Sequence, residues 1–203
     1  MNPRVLKRFV IYMAILTVVM FLGWELAGDF LRREPGDYHT KRGDQFLSSK
    51  DYDDALEQFD LALAERPYHR GAMMGRAAVF IQTGRYEEAI IELDDLIDYL
   101  TRNTDPGDLT GVGALAAAYA NRGIAYDRLE QYEKALDSYI QALKIDEGAV
   151  EGPGIVHKIL YGSARVSSVR DRARYLYEQL QLPEDERLMS VPELDQQQFM
   201  YKP

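Results

Sequence analysis

Three histidines, His39, His69 and His157, are the side chains best suited to metal ligation or proton transfer, and no two stand at a ligand spacing. Glycines crowd the stretch from Gly107 to Gly113, but the Gly-Lys-Ser/Thr ending of a phosphate loop is missing. Ser48-Ser49 and Ser167-Ser168 have neither a neighbouring base nor a nucleophile elbow. The chain has no cysteine, which excludes disulfides, thiolate metal sites and a cysteine nucleophile. Its many Asp and Glu residues fall at helix starts and on polar faces, where solvated charge is the default. These residue types assemble no catalytic, metal or cofactor site, so the expected function is non-enzymatic binding without a small-molecule substrate.

The elements that would carry such binding start from composition. A chain of 203 residues with 46% apolar and 28% charged residues has the makeup of a folded domain with appendages. The net charge of −9 understates the acidity of the body, because Arg4, Lys7 and Arg8 all precede the first apolar segment. An acidic surface is repelled by phosphate backbones, and no basic stripe with interleaved aromatics is present. Nucleic acid is therefore not an expected partner.

Phe9 to Trp24 reads FVIYMAILTVVMFLGW without a charge. At 1.5 Å per residue that run covers about 24 Å, and its flanks, from about residue 5 to residue 27, bring it close to the roughly 30 Å hydrocarbon core. Phe9, Ile11, Ile15, Val19, Phe21 and Trp24 are the expected lipid-facing residues of a single-pass anchor, with Lys7 and Arg8 snorkelling below it. A cleaved leader and a buried core helix are the alternatives. Glu25-Leu26-Ala27-Gly28 is a poor cleavage site, and a core helix would have to be apolar on every side. Three cations and the amino terminus ahead of the span mildly favour a cytoplasmic N-terminus with the body outside. Pro35-Gly36 is expected to end the helix near Glu34, which makes residues 1–34 an anchor and short stalk.

Behind the stalk the chain repeats itself. KDYDDALEQFDLALAERP (Lys50 to Pro67) recurs as GRYEEAIIELDDLIDYLT (Gly84 to Thr101) after 34 residues, and as EQYEKALDSYIQALKIDE (Glu130 to Glu147) after a further 46. A second helical stretch precedes each copy, with Gly43, Ala77 and Gly123 at equivalent places. Small residues there let two helices approach, and Phe46, Phe59, Tyr126 and Tyr139 are expected to fill the space between pairs, each contributing about 1.5–3 kcal/mol if fully buried. The turn sequence Asp105-Pro106-Gly107-Asp108 marks a linker, Arg102 to Gly113, that interrupts the array.

This pattern resembles the tetratricopeptide repeat family. The matching residues are Gly43, Phe46, Tyr52, Ala55, Phe59, Ala62 and Pro67 in the first copy, and Ala77, Phe80, Gly84, Tyr86, Ala89, Leu93 and Leu96 in the second. In the third they are Tyr119, Gly123, Tyr126, Tyr132, Ala135, Tyr139 and Ala142. Thr101 and Glu147 stand where the family has proline. A degenerate fourth copy, with Ala173, Tyr177 and Leu180 in register, would cap the array. The resemblance implies an all-α protein: one transmembrane helix, then an α-solenoid over 36–187 with repeats at about 36–69, 70–103, 116–149 and 154–187, then an extended tail, 188–203.

The family geometry also implies a binding groove lined by the first helix of each pair. In this chain it would present Asp37, Thr40, Asp44 and Leu47, then Met74, Ala78 and Ile81, then Ala117, Asn121, Ile124 and Arg128. Chaperone-binding members clamp a terminal carboxylate with cationic and amide side chains there. Thr40, Asp44, Ala117 and Asn121 supply no such clamp. The expected function is a membrane-anchored scaffold or adaptor that binds proteins and supports assembly or stability of a membrane-protein complex. Its expected place is a bacterial inner membrane, with the repeats on the non-cytoplasmic side. The alternatives are a permanent accessory subunit held through its transmembrane helix, and an exported soluble binder or chaperone if the N-terminus is cleaved.

Overall fold

Unbroken apolar sequence at the N-terminus and acid-opened segments behind it favour helices, and helix is the regular structure found. The structure is a computed structural model, and it describes residues 3–31, 34–150 and 168–190. Helix α1, Pro3–Leu31, contains the run Leu6–Trp24, which has a mean hydropathy of 1.9 and is not covered by the rest of the protein. Phe9, Ile11, Ile15, Val19, Phe21 and Trp24 are all exposed. Length and composition suit a membrane span and equally a signal sequence.

Three antiparallel helix pairs follow: α2 (Asp37–Ser49) with α3 (Tyr52–Glu65), α4 (Arg70–Gln82) with α5 (Tyr86–Asn103), and α6 (Leu109–Arg128) with α7 (Tyr132–Ile145). The second helix of each pair opens on acids that suit the positive end of the helix dipole: Asp53 and Asp54, Glu87 and Glu88, and Glu133. A left-handed residue makes each turn within a pair, at Lys50 (φ 65°), Gly84 (φ 77°) and Glu130 (φ 59°). Only Gly84 adopts it without a side-chain penalty. Each pair also stacks on the next, α3 on α4 and α5 on α6, while α2 touches α4 and α4 touches α6. Sequential stacking of this kind makes a solenoid.

Small residues set the spacing inside a pair. A Cβ on Gly43 would fall 2.5 Å from Cε1 of Phe59, and one on Gly123 would fall 2.5 Å from Cδ1 of Tyr139. At the same register the middle pair has Ala77 and Leu93, both fully buried, so a slightly larger residue meets a smaller partner. Ala55, Ala89 and Ala135 are fully buried as well. Phe46 and Tyr126 are only partly buried and pack at the margin of the core.

Two expectations are revised. The linker Arg102 to Gly113 is mostly helix: α5 runs on to Asn103 and α6 starts at Leu109, giving 18 and 20 residues against 13 or 14 in the other four helices of the pairs. The cause is local. Asp108 accepts from the Gly111 amide at 2.9 Å and caps α6 before the glycines can break it. The last α-helix among the described residues, α8 (Val169–Leu180), buries Val169, Arg172, Ala173 and Leu176, while Tyr177 is 56% exposed. Its buried stripe is thus shifted one residue from the Ala173–Tyr177–Leu180 register. The expected first helix of that pair, from about residue 154, lies outside the described residues, as do residues 191–203 of the tail.

A capping box between Ser168 and Asp171 starts α8. Arg172 then reaches back, its Nε and Nη2 each donating to Asp127 at 2.7 Å with both side chains buried. Tyr139 Oη lies 3.2 Å from the same carboxylate, and the Met189 carbonyl accepts from Arg172 at 3.0 Å. Helix α8 and Met189 are thereby tied to the third pair.

Candidate protein-binding surfaces

The first helices of the pairs, α2, α4 and α6, carry the residues expected to line a groove, and the structure divides them. On α2, Asp37, Asp44 and Leu47 are partly exposed, and Leu47 packs at the edge of the small cluster around Phe59. Thr40 is buried, its hydroxyl 3.2 Å from His69 Nδ1. His69 caps α4 by accepting from the Ala72 amide through the same nitrogen, leaving Nε2 to donate to Asp37 at 3.0 Å. Asp37 and Thr40 thus join the first two pairs, and His69 is a structural cap. His39 lies against Gln58 and Glu65, and His157 lies outside the described residues.

On α4 and α6 the outcome differs from the expectation of an open groove. Met74, Ala78, Ile81, Ala117, Asn121 and Ile124 are all buried, and only Arg128 is partly exposed. Helices α4 and α6 lie in contact, and Asn121 Nδ2 approaches Met74 Sδ at 3.2 Å. Packing of α4 and α6 against the second helices α5 and α7, and against each other, makes these side chains core. Helix α2, which also borders a hollow of about 900 Å³ through residues such as Lys41, Asp44 and Gln45, keeps the accessible part of this face.

A second set of residues, absent from the expected groove, bridges the pairs on the other side. Arg76 of α4 spans two second helices, with Nη1 at 2.8 Å from Asp60 on α3, and Nε and Nη2 at 3.1 and 2.5 Å from Glu92 Oε2 on α5. Arg122 of α6 repeats this one unit on, with Nη1 at 2.6 Å from Asp94 on α5 and Nε at 3.2 Å from the Ser138 hydroxyl on α7. Arg42, at the same register on α2, has no preceding pair to grip and reaches Tyr38 within its own helix. The signal was in the sequence: Arg42, Arg76 and Arg122 each stand immediately before the small residue, Gly43, Ala77 or Gly123.

Electrostatics set the two bridges apart. Burial pushes the Glu92 carboxyl up from its ordinary range, Arg76 pulls it back only in part, and Asp95 and Asp60 push it further. Burial alone would lower Arg76, but its bonds to Glu92 and Asp60 outweigh that and leave it raised. Near the α6 cap, the Gly111 amide, followed by Arg70, holds Asp108 below the usual carboxylate range.

Stacked helix pairs, small residues at their crossings and inter-pair polar bridges define a helical-repeat module for contacts with other macromolecules. Residues 46–106 and 116–148 match sequence profiles of the tetratricopeptide repeat. The chain is a tetratricopeptide repeat protein, and this fold is typically a non-enzymatic protein-interaction module. It is 26% identical to anaphase-promoting complex subunit 3 of Schizosaccharomyces pombe over 54% of this chain and 15% of that protein. It is also 26% identical to the Hsp70-Hsp90 organising protein of Plasmodium falciparum over 55% of this chain and 19% of that protein. The matches thus span less than a fifth of either relative's length.

Among solved structures, the first TPR of Spaghetti (RPAP3) bound to an HSP90 peptide is similar with a TM-score of 0.53 and 15% identity, over 73% of this chain and 94% of that one. The TPR2AB domain of yeast Sti1 in complex with pHSP90 gives 0.52 and 17%, over 74% of this chain and 52% of that one. At these identities the likeness establishes the fold.

Proposed function

We propose that the protein is a membrane-anchored, non-enzymatic scaffold whose repeats hold a protein partner at the bilayer and support assembly or stability of a membrane-protein complex. One observation carries the reading: an uncovered apolar helix of membrane-spanning length precedes a repeat array by only a few residues. Leu31 ends α1 and Asp37 starts α2, so the array lies within roughly 20 Å of the helix end, the reach of six extended residues. A partner of the array therefore sits at or in the membrane. Lys7, Arg8 and Arg4 ahead of the span favour an exterior body, and a bacterial inner membrane suits that arrangement. Similar solved domains bind an HSP90 peptide and pHSP90, which supports a polypeptide ligand.

The accessible docking face is that of α2, with Asp37, Asp44 and Leu47. Met74, Ala78, Ile81, Ala117, Asn121 and Ile124 act as its interior support. A photo-crosslinking residue at Leu47 of the full chain in native membranes is expected to capture a membrane-associated protein. The same residue at exposed Asp54 on α3 should not capture it. Equal capture from both positions, or none from Leu47, overturns the groove reading. Extraction by alkaline carbonate, or a mature N-terminus beyond Trp24, would favour the exported soluble binder.

A further inference from the structure

The chain enters the array at one edge and is fastened there. The Gly36 amide donates to Glu65 at 2.7 Å, and Arg66 pairs with Glu34. That edge collects the starts of α2, α4 and α6 and the ends of α3 and α5. Tyr68 stacks on Tyr99 across it, with ring centres 4.8 Å apart, and Arg70 Nη1 lies 3.2 Å from Asp108. A hollow of about 580 Å³, bordered by Glu34, Arg66, Tyr99 and Asp108 among others, runs along it. The opposite edge consists of the turns at Lys50, Gly84 and Glu130.

The two edges differ in shape and in surface. By the repeat offsets, Glu65 at the end of α3 corresponds to Tyr99, yet α5 runs on to Asn103. Arg70 at the start of α4 corresponds to Ala116, yet α6 already starts at Leu109. The α5–α6 turn therefore projects past the neighbouring helix ends by about 6–10 Å. Leu109, at its tip, is 80% exposed, more than any other large apolar side chain among the described residues. Tyr38 and Tyr68, beside the starts of α2 and α4, are exposed too. Among the described residues, no large apolar side chain is exposed at the opposite edge.

Distance brings the fastened edge to the bilayer. The apolar run ends at Trp24, and α1 continues to Leu31, about 10 Å further, across a headgroup layer about 5–7 Å deep. From Leu31 to Glu34 the chain can reach at most about 10 Å. The edge thus stands no more than about 15 Å above the headgroups, and the α5–α6 projection spans much of that gap. Any path short of full extension closes the rest. Leucine and tyrosine at such a level suit the boundary between headgroups and acyl chains. Arg66, Arg70 and Arg102 are each paired with an acid here, which leaves apolar contact rather than charge to hold the edge.

We infer that this edge rests on the bilayer, with Leu109 and Tyr68 seated in the headgroup layer of uncharged lipid as a second membrane contact. The inference rests on the reading of α1 as a membrane anchor. It orients the array, so that the α2 face opens sideways along the membrane.

The test uses the cysteine-free full chain, with one fluorophore on a single introduced cysteine, in phosphatidylcholine nanodiscs with nitroxide on headgroups or acyl chains. At Thr110→Cys, next to Leu109, headgroup nitroxide is expected to quench several-fold more than at Glu87→Cys near the opposite edge. Adding Leu109→Asp, a change at an exposed side chain, should bring Thr110→Cys down to the Glu87→Cys level. Replacing part of the lipid with anionic phosphatidylglycerol should not raise the quenching. Val19→Cys, in α1, reports the anchor through acyl-chain nitroxide. Strong quenching at Val19→Cys with equal values at Thr110→Cys and Glu87→Cys overturns the inference and leaves the anchor standing; an edge that serves a protein partner gives this result. No quenching at Val19→Cys overturns both. Quenching at Thr110→Cys that survives Leu109→Asp, or that needs anionic lipid, overturns the assignment to Leu109 and uncharged lipid.

Discussion

Two junctions of the array use the same arginine in the same place, yet they differ in what faces it. Between the first and second pairs, Arg76 meets an exposed Asp60 and a buried Glu92; between the second and third, Arg122 meets an exposed Asp94 and a buried Ser138 hydroxyl. Arg122 also lies over Tyr119, 4.9 Å from its ring centre. A neutral acceptor and an aromatic face thus suffice to join two pairs. The Glu92 carboxylate adds desolvation cost and a spare acceptor without adding a bridge that the fold elsewhere needs. What holds the solenoid together is thus distinct from what one junction adds.

Cutting each bridge from the arginine side breaks the symmetry most. Arg76→Ala leaves a buried carboxylate without its cation and should cost about 3–5 kcal/mol. Arg122→Ala leaves a hydroxyl and an exposed aspartate, and should cost about 1–2 kcal/mol. Urea unfolding of the full chain in detergent, followed by far-ultraviolet circular dichroism, measures both. In a Glu92→Gln background the cost of Arg76→Ala should fall to that of Arg122→Ala. Equal costs in the parent background would mean that Glu92 is solvated and that the two junctions are alike.

Packing gives a smaller contrast. Gly123 lies under the Tyr139 ring as Gly43 lies under Phe59, so Gly123→Ala should cost about 1–3 kcal/mol by overpacking. The middle pair has already made that exchange with Ala77 and Leu93. Adding Tyr139→Leu to Gly123→Ala should therefore recover much of the loss, again by urea unfolding. No recovery would mean that Tyr139 is needed chiefly for its bond to Asp127.

The sequence alone carries part of this architecture. Small residues opposite large ones recur at fixed offsets, and backbone proximity demands them, so Gly43, Ala55, Phe59 and their equivalents showed the fold directly. Exposure is a property of neighbours, and no periodicity in α4 or α6 tells whether Met74 or Ile124 faces water or another helix. The turn at Asp105-Pro106-Gly107 was real, but the cap at Asp108 confined it to a few residues. The arginine bridges were missed because a charge on a helix face is usually solvated. Only the three-fold recurrence before a small residue distinguished Arg42, Arg76 and Arg122 from that default. On α8 a single residue of register separates buried Leu176 from exposed Tyr177, below the precision of a weak repeat.

The smallest expected effect is a dependence on pH that one junction has and the other lacks. Burial raises the folded-state Glu92 carboxyl above its unfolded value, so the folded protein holds that proton to a higher pH than the unfolded chain does. Its charged form is disfavoured in the fold. The resulting penalty is absent below the unfolded value, grows as pH rises to the folded value, and is constant above it. Glu92→Gln removes the penalty and keeps an acceptor for Arg76, so the variant should gain on the parent as pH rises out of the carboxylate range and then run parallel to it. Ser138→Ala should show no such divergence, because a hydroxyl does not titrate there. Thermal midpoints of the three proteins across the acidic range measure this. Parallel curves for Glu92→Gln and the parent would place Glu92 in water and remove the distinction between the two bridges.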